Sequence, residues 1–229
     1  MNEFRSEHFS TLRSHKAERI FQNPTRRFAV LMPLVQDKDK GEWSLLFEVR
    51  SGRIRQGGEI CFPGGEVEEG ESREEAAVRE TAEELLLPRD QIELICPMIQ
   101  MTGPGGSEVD SYLGILHDYR ETFSSDEVAR VFSLPLSYFA ENPPREYRAE
   151  LVPQFPEDFP FDEIPGGRDY PFYHAPRTYY FYRTPYGALW GMTAQLVHDA
   201  LSIILNGMNQ MDSDDAKDRN AGGRENASV

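Results

Sequence analysis

Three glutamates, Glu80, Glu83 and Glu84, stand at spacings that place them on one face of an α-helix. Like charges at these spacings repel each other, so the cluster needs a compensating partner. A hard divalent cation such as Mg²⁺ or Mn²⁺ provides one, because it prefers oxygen ligands in octahedral geometry. The upstream pair Gly64–Gly65 allows close backbone approach, so a main-chain carbonyl could join the ligands. The pattern indicates a metal site; the alternative is a solvated acidic helix face, and composition alone does not separate the two.

The helix that carries these glutamates is predicted from its end signals. Ser72 can cap the first turn, and Glu75, three residues later, completes a capping box. Pro88 stops the helix, which we expect to run from Ser72 to Leu86.

Arg79 is predicted to hold the loop before this helix in place. It lies one turn beyond Glu75 and can pair with Glu71 if the loop folds back. That ion pair would lock the loop onto the helix.

The segment resembles the Nudix box, G-x5-E-x7-R-E-U-x-E-E-x-G-U, where U is an aliphatic residue. The positions in register are Gly65, Glu71, Arg79, Glu80, Glu83, Glu84 and Leu87. Thr81 replaces the first aliphatic residue and Leu86 replaces the second glycine. Neither departure falls on a metal-bearing position, so a seven-position match at fixed spacing is a specific signal.

The resemblance implies an α/β fold, a Nudix-type α/β/α sandwich whose mixed β-sheet supports a loop–helix–loop metal site. It implies Glu80 and Glu84 as the main ligands of Mg²⁺ or Mn²⁺, with Glu83 and the Gly64 carbonyl completing the set. The chemistry would be metal-assisted hydrolysis of a diphosphate. The residues that would support this site structurally are Gly65, Glu71 and Arg79.

The general base is left open among Glu80, Glu108 and Glu127. As in some Nudix enzymes, Glu127 would be an extra ligand or the base. Alternatively it is the third residue of a capping box that Ser124 begins, opening a short helix towards Phe132, and we favour the cap slightly. The candidates for a catalytic role are Glu80, Glu83 and Glu127.

The residues before the box narrow the class of possible substrates. Arg50–Ser51, Arg55 and the run from Gly58 to Gly65 are similar to L-L-T-x-R-S-x3-R-x3-G-x3-F-P-G-G, which marks coenzyme A pyrophosphatases within the Nudix group. The Arg55–Gly58 gap is one residue short, and Glu48 stands at the Thr position. The resemblance implies cleavage of coenzyme A or acyl-CoA into 3′,5′-ADP and (acyl-)4′-phosphopantetheine.

Arg50, Arg53 and Arg55 form a local basic patch that suits phosphate oxygens. We interpret them as substrate-binding residues; the alternative is that they only pair with Glu48, Glu59 or the acidic helix.

Two other functions remain as alternatives. The shortened Arg55–Gly58 gap keeps open a Nudix hydrolase of ADP-ribose or another nucleoside diphosphate derivative. A non-catalytic ligand-sensing module ranks third, because such a module would be expected to lose the box carboxylates, and Glu80, Glu83 and Glu84 are all present.

The formal net charge of −15 argues against nucleic acid and anionic membranes as partners. It would also repel a phosphorylated substrate unless cations lie between them. The first residues lack the apolar core of a signal peptide, and no apolar run is long enough to span a bilayer. The two cysteines form no C-x-x-C pair. We therefore expect the protein in the reducing cytoplasm.

The chain is expected to form one domain. Residues 1–27 are a polar helical lead-in, 28–207 the Nudix domain and 208–229 a disordered tail, after a helix over 193–205. We interpret residues 142–171, rich in proline and aromatics, as an excursion from the sheet. The aromatics between Phe155 and Tyr182 would line a pocket or, the interpretation we favour, bury a flap or a homodimer contact.

Overall fold

A mixed β-sheet forms the centre of the protein. The structure, a computed structural model, describes residues 26–37, 40–103 and 106–222, with the backbone alone from residue 207. Within these residues seven strands build the sheet. They are β1 (Arg27–Gln36), β2 (Trp43–Arg50), β3 (Ile60–Cys61), β4 (Gly64–Glu66), β5 (Ile92–Thr102), β6 (Glu108–Leu116) and β7 (Val128–Pro135).

The pairing makes the sheet mixed. The main path runs β3-β2-β1-β6-β5, while β4 adds to β1 and β7 adds to β2. β1 and β6 are parallel, and the other pairs of this sheet are antiparallel. Residues 28–35, 43–50, 92–101 and 109–116, whose composition in the sequence is typical of strands, lie within β1, β2, β5 and β6.

The two faces of the sheet are covered by different helices, because successive side chains on a strand point to opposite sides. Leu31 and Leu46 belong to the apolar core beneath α1 (Arg73–Glu84). Met32 and Phe47 belong to the core beneath α3 (Gly191–Gly222). The α/β sandwich expected from the sequence is confirmed.

α1 begins and ends largely as predicted. Ser72 and Glu75 form the reciprocal capping box. At the other end the amide of Leu87 donates to the Ala82 carbonyl at 3.0 Å, which is the Schellman arrangement. Leu86, at the position of the family's glycine, has a left-handed backbone with φ 52°.

The short helix expected from Ser124 towards Phe132 is wrong. Residues Ser124 to Glu127 form a turn, and the chain then enters β7, which pairs along β2 from Ser44 to Arg50. Val128 and Phe132 are buried there. The free edge of β2 satisfies more backbone groups than a single helical turn would, so tertiary pairing overrides the local capping pattern.

A second, three-stranded sheet follows the central sheet in the chain. Its members are β8 (Arg145–Leu151), β9 (Ala175–Thr184) and β10 (Gly187–Trp190), in the order β10-β9-β8. A short helix, α2 (Leu136–Glu141), precedes it. The excursion interpreted at 142–171 thus includes β8, and its return strand β9 packs on α3 through Tyr180 and His198, whose rings stack at 3.9 Å.

α3 is longer than predicted. It continues through Gly207 to Gly222, so residues 208–222 are helical rather than part of a disordered tail. No proline follows Gly207, so nothing in the sequence forces the helix to end there. Residues 1–25 and 223–229 lie outside the described residues, and the domain limits remain a prediction. No helix in the described part of the chain has the length and apolar character needed to cross a membrane.

Candidate active site

The loop Gly64–Gly65 and helix α1 bring together two of the predicted ligand side chains. Glu84 is 3% exposed, and its Oε2 accepts a hydrogen bond of 2.8 Å from the amide of Gly64. Glu80, one turn earlier on α1, is turned to the same loop. A Cβ on Gly65 would overlap its carboxyl group.

Both glycines are required for steric reasons. Gly64 pairs with Val30 in the β1–β4 ladder and has φ 150°, so a Cβ there would collide with the backbone of Ala29 and Val30. At Gly65 the obstacle is the carboxyl group of Glu80. The close approach expected from the Gly–Gly pair is therefore present at both positions.

Arg79 joins the loop to the helix as the sequence suggested. Its Nε and Nη2 donate to the two carboxylate oxygens of Glu71 at 2.8 and 3.0 Å, a bidentate pair. Its Nη1 donates to Glu80 at 2.8 Å. The hydrogen bond from Arg79 holds the pKa of Glu71 below its usual value.

Glu83 lies apart from the other two helix glutamates. Its side chain is 61% exposed, and among the described residues it accepts only a long hydrogen bond of 3.4 Å from Arg79. Of the predicted ligands, Gly64, Glu80 and Glu84 therefore converge, and Glu83 borders them on the solvent side.

Glu48 is a further carboxylate at this site, which no pattern in the sequence predicted. It is 1% exposed on β2, and its Oε1 accepts a bond of 3.2 Å from the Sγ of Cys61. Its Oε2 has no hydrogen-bond partner among the described residues. The one signal in the sequence was a charged residue within an otherwise apolar strand, at the Thr position of the motif.

Burial and mutual repulsion disfavour the ionised forms of these carboxyls. Burial, with lesser contributions from Glu127 and Glu80, raises the pKa of Glu48 to about 7. Burial and then the charge of Glu48 raise the pKa of Glu84 to about 9. Burial also raises the pKa of Glu80. The site therefore concentrates carboxyl groups whose ionised forms a cation would stabilise.

The donors suit a hard cation, although they are not arranged as a finished coordination shell. In residues 26–37, 40–103 and 106–222 no three His, Cys, Asp or Glu side chains form a ready-made metal site. Glu80 accepts a hydrogen bond from Arg79, and Glu84 accepts one from the amide of Gly64. Carboxylate and carbonyl oxygens, with an orphaned oxygen on Glu48, fit Mg²⁺ or Mn²⁺.

Two of the candidates for the general base, Glu127 and Glu108, lie in different surroundings. Glu127 is exposed in the turn before β7, so it caps no helix, and its charge is near enough to raise the pKa of Glu48 and Glu80. Glu108 instead accepts a bond of 2.7 Å from Arg73.

A cleft of about 810 Å³ opens beside the glycine loop. Arg50 and Arg55 line it, together with Gly64 and Gly65. Arg53 is not among the lining residues. It forms an exposed ion pair of 3.3 Å with Asp126, so the structure separates it from the other two arginines.

Residues from the second sheet complete the cleft. They are Arg177, Tyr179 and Trp190. Most of the aromatic residues between Phe155 and Tyr182 instead pack on each other. For example, the ring centroid of Phe155 lies 4.4 Å from those of both Phe159 and Phe172. No sequence signal distinguished Arg177 or Tyr179, because only the pairing of β9 brings them to the cleft.

A family model described as the NUDIX domain matches residues 25–155. The chain belongs to the Nudix family. The resemblance of the residues from Gly65 to Leu87 is thereby confirmed, and the site described above is the Nudix box of this member.

Two curated Nudix relatives illustrate the similarity. The peroxisomal coenzyme A diphosphatase NUDT7 of Mus musculus is 33% identical over 138 residues, which are 59% of this chain and 57% of that protein. The Nudix hydrolase NudL of Enterobacter sp. (strain 638), described as uncharacterized, is 31% identical over 78% of this chain and 83% of that protein. The chain thus spans less than three fifths of the length of the mouse relative.

Solved Nudix structures resemble the fold at lower identity. A MutT/nudix family protein from Enterococcus faecalis is 15% identical, with 89% of this chain and 70% of that chain covered and a TM-score of 0.49. A C. elegans Ap4A hydrolase is 23% identical, with 48% and 80% covered and a TM-score of 0.41.

Proposed function

We propose that the protein hydrolyses the diphosphate linkage of coenzyme A or acyl-CoA with the help of Mg²⁺ or Mn²⁺. The observation that carries this proposal is the convergence of buried Glu84 and half-buried Glu80 on Gly64–Gly65, at the edge of a cleft that also presents Arg50 and Arg55. An acidic cluster beside cationic side chains suits an anionic substrate bound through metal.

Glu80, Glu84 and the Gly64 carbonyl would hold the cation, with Glu83 at the solvent side. When bound, it would neutralise the diphosphate and lower the pKa of a water molecule. Arg79 keeps Glu80 oriented by its bond of 2.8 Å, and Glu71 fixes Arg79 in turn. Gly65 provides the space that the Glu80 carboxyl group occupies.

Glu127 is the favoured general base. It is exposed to solvent near Glu48 and Glu80, where a water molecule can reach it, whereas Glu108 is engaged by Arg73. The backbone anchors its position, because the Glu127 carbonyl accepts from the amide of Ser51 at 2.7 Å.

Coenzyme A is the favoured substrate for two reasons. The motif from Arg50 to Gly65 is similar to that of coenzyme A pyrophosphatases, and the mouse relative is named as a coenzyme A diphosphatase. The expected products are 3′,5′-ADP and (acyl-)4′-phosphopantetheine. Arg50 and Arg55 would contact phosphate oxygens, whereas Arg53, paired with Asp126, is a weaker candidate.

The expected setting follows from charge and composition. With a net charge of −15, the protein is proposed to act on a small molecule rather than on nucleic acid or membranes, in the cytoplasm. We also propose a homodimer, because the second sheet has exposed aromatic residues and aromatic residues are enriched at protein interfaces.

The decisive experiment is product analysis by mass spectrometry after incubation with coenzyme A and Mg²⁺ or Mn²⁺. We expect 3′,5′-ADP to appear, and EDTA to suppress it. Cleavage of ADP-ribose but not coenzyme A would show another nucleoside diphosphate specificity. Binding of either compound without cleavage would support the ligand-sensing alternative and contradict the proposal.

A further inference from the structure

Strand β9 presents different residues to the two sides of the second sheet. Tyr180 and Tyr182 face α3 and the core: Tyr182 is 2% exposed and Tyr180 stacks on His198. Because side chains alternate along a strand, Arg177 and Tyr179 project from the other face. Both line the cleft that contains Gly64 and Gly65.

Two of the other arginines at the cleft, Arg26 and Arg50, are already engaged with the protein. Arg26 forms a bidentate pair with Glu66 at 2.9 and 2.5 Å. Arg50 donates to the Arg55 carbonyl at 3.2 Å, and its charge acts on Glu48 and Glu84.

Arg177 differs in this respect. In the described part of the chain no carboxylate forms an ion pair with its guanidinium, which lies 5.3 Å from the ring centroid of Tyr179. A half-buried, unpaired arginine is unexpected in a chain with a net charge of −15, where carboxylates outnumber cations. Contact with an aromatic ring restrains the guanidinium without neutralising it, which leaves its donors free for an anion.

Arg177 reaches the cleft from a different part of the fold than the carboxylates do. The carboxylates lie on α1 and β2 of the central sheet, whereas Arg177 comes from the second sheet. Arg55, on the loop between β2 and β3, also lines the cleft without an ion pair among the described residues. Two such guanidinium groups fit a dianionic phosphate group better than one oxygen of a diphosphate that metal already neutralises.

We propose that Arg177, assisted by Arg55, binds a phosphate group of the substrate that lies outside the diphosphate, namely the 3′-phosphate of a nucleoside 3′,5′-bisphosphate. This inference rests on the proposed function and deepens it, because it assigns the contact that distinguishes coenzyme A from substrates without that phosphate. ADP-ribose and 3′-dephospho-coenzyme A both lack the group.

The first test compares coenzyme A with 3′-dephospho-coenzyme A in steady-state kinetics. The wild-type protein should prefer coenzyme A, and Arg177→Met should lower its kcat/KM by about 10- to 100-fold, the range for a lost charge-assisted contact. The value for 3′-dephospho-coenzyme A should change by less than about threefold, because that substrate never used the contact. Equal losses on both substrates, or none, would overturn the inference.

Arg148→Met is the matched control. Arg148 is an exposed arginine of β8 in the same sheet, and it does not line the cleft. This substitution removes the same charge from the same sheet, so kcat/KM should change for neither substrate. A loss on coenzyme A equal to that of Arg177→Met would show a general charge effect and would overturn the inference.

A second test needs neither turnover nor a variant. Isothermal titration calorimetry on the wild-type protein in EDTA compares 3′,5′-ADP with 5′-AMP, and we expect the bisphosphate to bind at least about 10-fold more tightly. Equal affinities would overturn the inference. If the protein cleaves neither form of coenzyme A, the proposed function fails while this comparison still decides the phosphate contact.

Discussion

The carboxyl group of Glu80 occupies the space that a side chain on Gly65 would need. The obstacle at Gly65 is thus the end of a flexible side chain, whereas the obstacle at the neighbouring Gly64 is the backbone of Ala29 and Val30. The two adjacent glycines are therefore required for different reasons, one for the site and one for the fold.

Gly65→Ala should impair the site while the fold survives. The new Cβ displaces the Glu80 carboxyl group, and a misplacement of about 1 Å costs about 10²-fold in turnover. Stability should change by no more than about 1 kcal/mol, because Glu80 can move aside. Diphosphate hydrolysis and urea unfolding measure the two effects.

Gly64→Ala is the contrasting variant. Its Cβ meets backbone at φ 150°, so we expect a loss of about 2–4 kcal/mol in the free energy of unfolding. If both alanine variants lost stability equally, the assignment of Gly65 to the site would be contradicted.

Leu86→Gly should stabilise the protein. Leu86 has φ 52°, where a non-glycine residue is unfavourable by about 1–2 kcal/mol, partly offset by the backbone entropy of glycine. We expect a net gain of about 0.5–1 kcal/mol, seen as a higher Tm.

Leu86→Ala separates this effect from the removal of an exposed leucine, which is 59% accessible. Alanine keeps the strained backbone, so it should give little or no gain. An equal gain from both substitutions would show that surface hydrophobicity, not the left-handed conformation, limits stability at this position.

Glu48 should make the metal-free protein less stable as pH rises. Its pKa is raised to about 7 in the folded state from an ordinary value of 4.5, so unfolding releases a proton between these values. The stabilisation present below pH 4.5 is therefore lost as pH rises to about 7. In EDTA, the free energy of unfolding of Glu48→Gln relative to wild type should therefore rise by about 1–3 kcal/mol from pH 4.5 to pH 8. The range is broad because Glu48 and Glu84 titrate together.

Urea unfolding at several pH values measures this difference. Glu157→Gln is the control: Glu157 is an exposed glutamate outside the site, and the variant should follow the wild-type curve. A constant offset between Glu48→Gln and wild type across the pH range would contradict the role of burial.

Glu84→Gln should abolish hydrolysis without unfolding the protein. The amide oxygen of glutamine can still accept from Gly64, while the charge that would bind Mg²⁺ or Mn²⁺ is lost. We expect turnover to fall by about 10³-fold or more, and the rise in Tm on adding Mn²⁺ to shrink. Retained turnover in the variant would contradict Glu84 as a metal ligand.

The sequence by itself determined the local part of the site. Capping and helical periodicity depend on residues within one or two turns, so Ser72 and Glu75 predicted where α1 begins, and the shared face of Glu80 and Glu84 followed. The pair Arg79–Glu71 was also foreseeable, because both residues lie within the same loop and helix.

Only the tertiary structure decided which distant residues join them. The charge of Glu48 acts on Glu84 because β2 presents Glu48, like Leu46, on the face of the sheet that α1 covers. Arg177 reaches the cleft because β9 pairs outside the central sheet. The turn after Ser124 became the entry to a strand because the edge of β2 was available for pairing. Such contacts are set by long-range hydrogen bonding and burial, which favour partners that no local pattern of residues can specify.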